Sequence, residues 1–113
     1  MNTNKTVSII MGTYNGAEYI REQLDSILSQ TYPLKEIIIQ DDGSTDDTVA
    51  ICTAYAEKFS IIHFSRSASN LGFNQNFKSA ALKATGDFVA FSDQDDVWFP
   101  TKIEKQGAAI GHH

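Results

Sequence analysis

Three aspartates fall within four positions, Asp93, Asp95 and Asp96, in the stretch AFSDQDDVWF (90–99). Neighbouring carboxylates repel one another, and no basic residue adjoins them in the sequence. A divalent cation would remove the repulsion. Aspartate oxygens are hard ligands suited to Mg²⁺ or Mn²⁺. Mg²⁺ is commonly held by one or two carboxylates, with substrate phosphates and water completing its shell. A second acidic group, Asp41, Asp42, Asp46 and Asp47, lies in the stretch DDGSTDD. Both groups follow apolar runs, EIIIQ (36–40) and FVAFS (88–92). An acidic run is ordinarily a solvated face, but its place after a buried strand favours a site.

Other chemistries fit parts of the pattern. Counted as a calcium loop from Asp93, Asp95 takes position 3 and Glu104 position 12, but Val97 and Trp98 stand where an oxygen ligand and a glycine belong. A haloacid-dehalogenase-type phosphatase also places Asp-x-Asp after a strand, with Asp93 as nucleophile and Asp95 as acid. That motif normally opens its domain, and its later Lys and Asp parts have no room here. Plain turn and cap residues are a further reading.

The elements that must position these groups follow from periodicity. VSIIM (7–11), EIIIQ (36–40), SIIHF (60–64) and FVAFS (88–92) are short apolar runs that predict buried strands. Ile20, Leu24, Ile27 and Leu28 fall at helical spacing, with Asn15 as a candidate N-cap and Pro33 closing the segment. Val49, Ile51, Cys52, Tyr55 and Phe59 mark a second helix, for which Ser44 and Asp47 resemble a capping box. Phe73, Phe77, Ala80, Ala81 and Ala84 mark a third, with Gly86 as its stop. The alternation βαβαβαβ predicts an α/β fold, a three-layer Rossmann-like sheet that is mainly parallel; right-handed crossovers leave few topologies, of which the strand order 3-2-1-4 is the one expected here. In such sheets ligands bind beyond the carboxyl ends of the strands, where the strand order reverses. The loops 12–16, 41–47 and 93–96 all follow strands and are expected at that edge.

The whole chain sets bounds on function. Its 113 residues suit one small domain, which buries roughly two thirds of the surface of its unfolded chain. A net charge of −5 argues against general nucleic-acid binding, which requires a basic face. No apolar stretch approaches the roughly 20 residues of a membrane span, and no signal-peptide pattern opens the chain. The single cysteine, Cys52, excludes an internal disulfide and reads as a small core residue. These features fit a cytoplasmic chain, placed at the inner face of the membrane if the full-length protein associates there. Residues 1–106 read as the folded unit. Residues 107–113, ending in His112 and His113, read as a tail of the kind a purification tag begins.

Together VSIIMGTYNG, SILSQTYPLKEIIIQDDGSTDDT, NLGFNQNF and ATGDFVAFSDQDDVW resemble the nucleotide-binding half of a family-two glycosyltransferase of the GT-A fold. The likeness runs from about Val7 to Lys105, with four motifs in the family's order. Gly12 departs from it, standing where many members carry proline. The resemblance implies that Thr13, Tyr14 and Asn15 line a nucleotide pocket, with Tyr14 available to stack on a base; ordinary core packing is the alternative for Tyr14. It implies that Asp41 accepts a hydrogen bond from the base N–H, and that Asn70 and Gly72 lie near the nucleotide with Asn76 behind. Arg66 either meets phosphate or base or is simply solvated. Asp95 is implied as the direct metal ligand, and Asp93 as a contact to ribose or a metal-bound water. Asp96 would tune the site or face the acceptor. Trp98 either borders the sugar or anchors the loop, and His63 is structural.

The implied activity is inverting, metal-dependent sugar transfer from a nucleoside-diphosphate donor of UDP, dTDP or GDP type. The acceptor would be a hydroxyl of a glycan or lipid-linked molecule in surface-polysaccharide synthesis, with Mn²⁺ or Mg²⁺ as cofactor. SDQDDVW is similar to the rhamnosyltransferase-like bacterial subgroup in particular. Family domains run to about twice this length, still within one α/β domain. The catalytic base is expected in the acceptor half, which is missing here. The chain would then be a truncated GT-A domain that binds donor and metal without catalysing transfer, and its uncovered apolar surface would favour homo-oligomers. The alternative is a non-catalytic nucleotide-binding module.

Overall fold

The computed structural model describes residues 6–66 and 80–92. Its elements are β1 (Val7–Thr13), α1 (Ile20–Leu28), β2 (Glu36–Asp41), α2 (Thr48–Lys58), β3 (Ile62–Arg66) and β4 (Phe88–Ser92). The strands form one parallel sheet in the order β3-β2-β1-β4, as the sequence predicts. Of the third expected helix, only the end at Ala80–Ala81 lies within the described residues.

Residues on both faces of β1 and β2 are buried along their full lengths. This accounts for their unbroken apolar runs, since a central parallel strand has no solvent face. On one face Val7, Ile9, Met11, Ile37 and Ile39 pack under Ile20, Leu24 and Ile27 of α1 and Ile51 and Cys52 of α2. On the other, Ile10 and Ile38 meet Ala80 and Ala84. Each fully buried large aliphatic side chain contributes about 1.5–3 kcal/mol. The layers follow from the handedness of the connections. β1→β2→β3 steps one way across the sheet with both helices on one face. β4 then pairs with the opposite side of β1, after Ala80 and Ala84, which lie on the other face. The order therefore reverses between β1 and β4.

Local boundaries differ from the sequence reading in physically simple ways. β1 extends to Thr13, because Gly12 and Thr13 still pair with Gln40 and Asp41 of the longer β2. β3 starts at Ile62 rather than at Ser60, since a turn closed by Ile62 N–H on the Phe59 carbonyl (3.0 Å) occupies 60–61. Asn15 does not cap α1. Its φ of 48° ends the strand in left-handed backbone, a region that asparagine tolerates. A turn, in which Tyr19 and Ile20 N–H donate to the Gly16 carbonyl (3.0 and 2.9 Å), starts the helix instead. The Ser44–Asp47 capping box is not formed either: Asp47 occupies the N-cap position of α2 without a side-chain bond. Ser44 turns back to Asp41, whose buried charge competes better for its hydroxyl.

Gly86 also has a different role from the helix stop expected of it. A Cβ there would lie 2.6 Å from Ser8 Oγ and 2.8 Å from Ser8 N. The glycine lets the chain enter β4 hard against β1, and its N–H donates to Ser8 Oγ (2.8 Å). Ser8 Oγ in turn donates to Glu36 Oε2 (2.5 Å), which also accepts Thr85 N–H (2.7 Å) and Thr85 Oγ1–H (2.8 Å). This network ties β1, β2 and the entrance to β4 at the amino edge of the sheet. Burial alone would raise the Glu36 pKa, but the bonds from Ser8 and Thr85, with His63 nearby, outweigh it and hold the carboxyl below its ordinary value. Among the described residues no helix is long and apolar enough to cross a membrane.

Candidate functional site

At the carboxyl edge, β1 and β2 end side by side, with Thr13 in register with Asp41. Ser92, the last residue of β4, lies two pairs short of it, as Met11 is its partner on β1. The exits of β1, β2 and β4 therefore share one edge, and the reversal of strand order between β1 and β4 falls there. This is where an α/β sheet of this type binds ligands.

Asp41 is the centre of the edge and is completely buried. Oδ1 accepts the Thr13 hydroxyl (2.7 Å) and the Ser44 hydroxyl (2.5 Å). Oδ2 accepts Ser44 N–H (2.8 Å) and Gly43 N–H (3.1 Å). The Arg66 Nε lies 3.7 Å from Oδ2, and its Nη2 donates to the Ser44 carbonyl (3.3 Å). A carboxylate can be buried when it is this fully supplied with donors. The tight return of the loop requires Gly43, whose φ is +90°. Asp41 thus fixes the shape of the loop, and a base N–H reaching it would have to displace one of these donors. Arg66, its side chain half exposed, is bound to this loop and faces the edge.

Tyr14 is 47% exposed, so the core-packing alternative does not describe it. An aromatic ring standing out beside a ligand-binding edge is suited to stacking on a planar group. Asn15 is turned to the neighbouring loop, its Oδ1 accepting Thr45 N–H (2.8 Å). Asn70, Gly72, Asp93 and Asp95, with Asn76, Asp96 and Trp98, lie outside the described residues. Among the described residues no group of three or more His, Cys, Asp or Glu side chains could hold a metal.

Two contributors escaped the sequence reading. Gln23 sits on the apolar face of α1 between Ile20 and Ile27 and is completely buried. Its Nε2 donates to the buried Ser92 Oγ (2.7 Å), fixing the end of β4. The signal was a polar residue within an apolar helical stripe. Asp46, noted in the sequence only as one of an acidic group, is the other; it accepts both Thr48 N–H (3.0 Å) and the Thr48 hydroxyl (2.5 Å). These bonds, the hydroxyl's foremost, hold the Asp46 carboxyl below its ordinary pKa. Cys52 is in the core, as expected. Burial, then the nearby charges of Asp41 and Asp46, pushes its thiol up to about 12, so it is no nucleophile.

A parallel 3-2-1-4 sheet with polar loops gathered at its carboxyl edge is the Rossmann-like half of a GT-A domain. Known proteins agree with that class. The model of the family "Glycosyl transferase family 2" matches residues 8–113. EpsE of Bacillus subtilis, named as a glycosyltransferase, is 40% identical over the whole chain, which spans 41% of EpsE. A crystal structure of S. aureus TarS in complex with UDP-GlcNAc superposes with a TM-score of 0.85 at 34% identity, covering 96% of this chain and 32% of that one. The mannosyltransferase PcManGT of Pyrobaculum calidifontis, in complex with GDP-Man and Mn²⁺, gives a TM-score of 0.77 at 31% identity, covering 83% of this chain and 28% of its own. The chain belongs to glycosyl transferase family 2. It spans between about a quarter and two fifths of the length of these three relatives.

Proposed function

We propose that this chain is the donor-nucleotide half of a transferase that moves a sugar from a nucleoside diphosphate to an acceptor hydroxyl in glycan or surface-polysaccharide synthesis. The observation that carries the reading is the carboxyl edge itself. A buried Asp41 holds the loop after β2, half-exposed Tyr14 and Arg66 border it, and β4 ends at the same edge with Ser92, the residue before Asp93 in the sequence. The nucleotide-sugar complexes of TarS and PcManGT support a donor of this chemical class.

In this reading Tyr14 and Asn15 border the nucleotide pocket, buried Thr13 and Asp41 shape it from behind with Asp41 open to a base N–H that displaces one of its donors, and Asn70 and Gly72 complete it. Tyr14 stacks on the base, and Arg66 offsets negative charge on the donor. Asp95, with Asp93, would hold Mn²⁺ or Mg²⁺; the Mn²⁺ in the PcManGT complex supports the use of a divalent metal. When bound, such an ion stabilises charge on the diphosphate leaving group. Inversion would require a carboxylate base on the opposite side of the sugar. Groups at this edge face the leaving group, so the base belongs to the acceptor half of a longer protein.

Calorimetric titration of UDP, dTDP and GDP, with and without Mn²⁺, tests the reading. At least one nucleotide should bind more tightly with metal. Asp95→Asn should abolish that gain without altering the fold, and Tyr14→Ala should weaken binding under both conditions. Failure of all three nucleotides to bind would refute the donor-site reading. An unchanged metal gain in Asp95→Asn would remove Asp95 as the ligand.

A further inference from the structure

The exits of β1 and β2 are bonded to each other more densely than strand ends require. Three consecutive backbone N–H groups of the first loop each donate to a side-chain oxygen of the second. Asn15 N–H reaches Ser44 Oγ (2.9 Å), Gly16 N–H reaches Thr48 Oγ1 (2.9 Å) and Ala17 N–H reaches Asp46 Oδ2 (3.1 Å). Thr45 returns two bonds to Asn15 Oδ1, from its N–H (2.8 Å) and from its hydroxyl (3.4 Å). Asp46 therefore works in two directions. Its Oδ1 accepts Thr48 N–H and the Thr48 hydroxyl, as a helix-start acceptor would. Its Oδ2 crosses to the other loop, which capping α2 does not explain. Thr48, completely buried, passes the connection on by donating to Asp46 and accepting from Gly16.

We propose that Asp46 is a positioning residue of the nucleotide site: with Asn15 it clasps the 14–17 loop to the 41–48 loop and thereby fixes Tyr14 relative to the Asp41 loop. The inference rests on the donor-site reading above. The connection to the ligand edge is short. Tyr14 is the residue before Asn15, and Ser44, which takes the Asn15 N–H, is bonded directly to Asp41. Asp46 itself touches backbone and Thr48, and it acts on the nucleotide through the loops. The left-handed backbone at Asn15 directs its side chain to Thr45 and is a conformation that most other residues resist. The N–H groups of Asn15, Gly16 and Ala17 all go to the second loop, so the clasp sets the place of the 15–17 backbone.

The test compares Asp46→Ala, Asp46→Asn, Asn15→Ala, Asn15→Gly and the Asp46→Ala/Asn15→Ala double variant. Each is titrated with UDP, dTDP and GDP in Mn²⁺, well below its melting temperature. Small misplacements of positioned groups cost up to about a hundredfold, so Asp46→Ala should raise the nucleotide Kd by about tenfold or more. Asp46→Asn should recover part of this, because an amide oxygen can still accept from Thr48 while its NH₂ cannot accept from Ala17. Asn15→Gly keeps the backbone but loses the Thr45 bonds, so it should fall between wild type and Asn15→Ala. The double variant should cost less than the product of the single effects, because both open one clasp. Amide exchange of residues 15–17 and 45 should accelerate together in Asp46→Ala. A lowered melting temperature with an unchanged Kd would make the role merely structural and overturn the proposal. Multiplicative effects in the double variant would also overturn it. Absence of nucleotide binding by the wild type, with the exchange result intact, would instead locate the failure in the donor-site reading.

Discussion

Asp41→Asn is the sharpest probe of the carboxyl edge, because it changes charge and hydrogen-bond polarity at almost constant volume. The amide oxygen can replace Oδ1 and keep the Thr13 and Ser44 hydroxyl bonds. The amide NH₂ must then occupy the place of Oδ2, where it faces the N–H groups of Gly43 and Ser44. Reversing the orientation keeps both backbone donors on one oxygen, as Oδ2 does already, but sets the NH₂ against the Thr13 and Ser44 hydroxyls, which then lose their acceptor. Either way at least one buried donor loses its acceptor, at about 1–3 kcal/mol, and bonds to a charged acceptor become bonds to a neutral one. The Arg66 pair adds little, since that side chain is half exposed and lies 3.7 Å away. The sum is about 2–4 kcal/mol, a large part of the roughly 5–15 kcal/mol that holds a domain together. At about 4–8 °C per kcal/mol for a chain of this size, the melting temperature should fall by at least about 8 °C. Differential scanning calorimetry at neutral pH, with urea unfolding as a check, measures this. The nucleotide Kd should rise with and without Mn²⁺, because the loop rather than the metal is disturbed. A variant within about 0.5 kcal/mol of wild type, as is usual for surface substitutions, would refute the view that Asp41 organises the edge through its own hydrogen bonds.

Two further outcomes follow from the amino edge. The folded Glu36 carboxyl titrates below its ordinary value of 4.5, so it adds stability above that pH, which is lost as the pH falls through the lowered value. Glu36→Gln should therefore lower stability at pH 7 and flatten the acid limb of a pH–stability curve measured by urea unfolding; an unchanged acid limb would exclude Glu36 from acid unfolding. Gly86→Ala should lower the melting temperature, since its Cβ would meet Ser8 Oγ at 2.6 Å and Ser8 N at 2.8 Å. Overpacking of this kind costs about 1–3 kcal/mol, and thermal unfolding unaffected by the substitution would mean that the entrance to β4 yields freely.

The sequence by itself determined the layers. Strands buried on both faces must be apolar at every position, and VSIIM and EIIIQ show that pattern directly. Helical spacing in Ile20, Leu24 and Ile27 located α1, and alternation with handed crossovers left few strand orders, the observed one among them. The motifs carried the family for the same reason: loops after parallel strands gather at one edge whatever lies between them. Tertiary structure decided what the polar residues do once they arrive. Asn15, Ser44 and Asp47 have the composition of helix caps, but local sequence cannot reveal that a buried Asp41 or a neighbouring loop will compete for the same hydrogen bonds. Asp46 and Gln23 act across 29 and 69 positions of sequence, and Gly86 meets Ser8 across 78. Such partners are brought together only by the sheet. A local pattern records which residues can bond or turn, and the competition among distant partners for buried donors and acceptors settles which of them do.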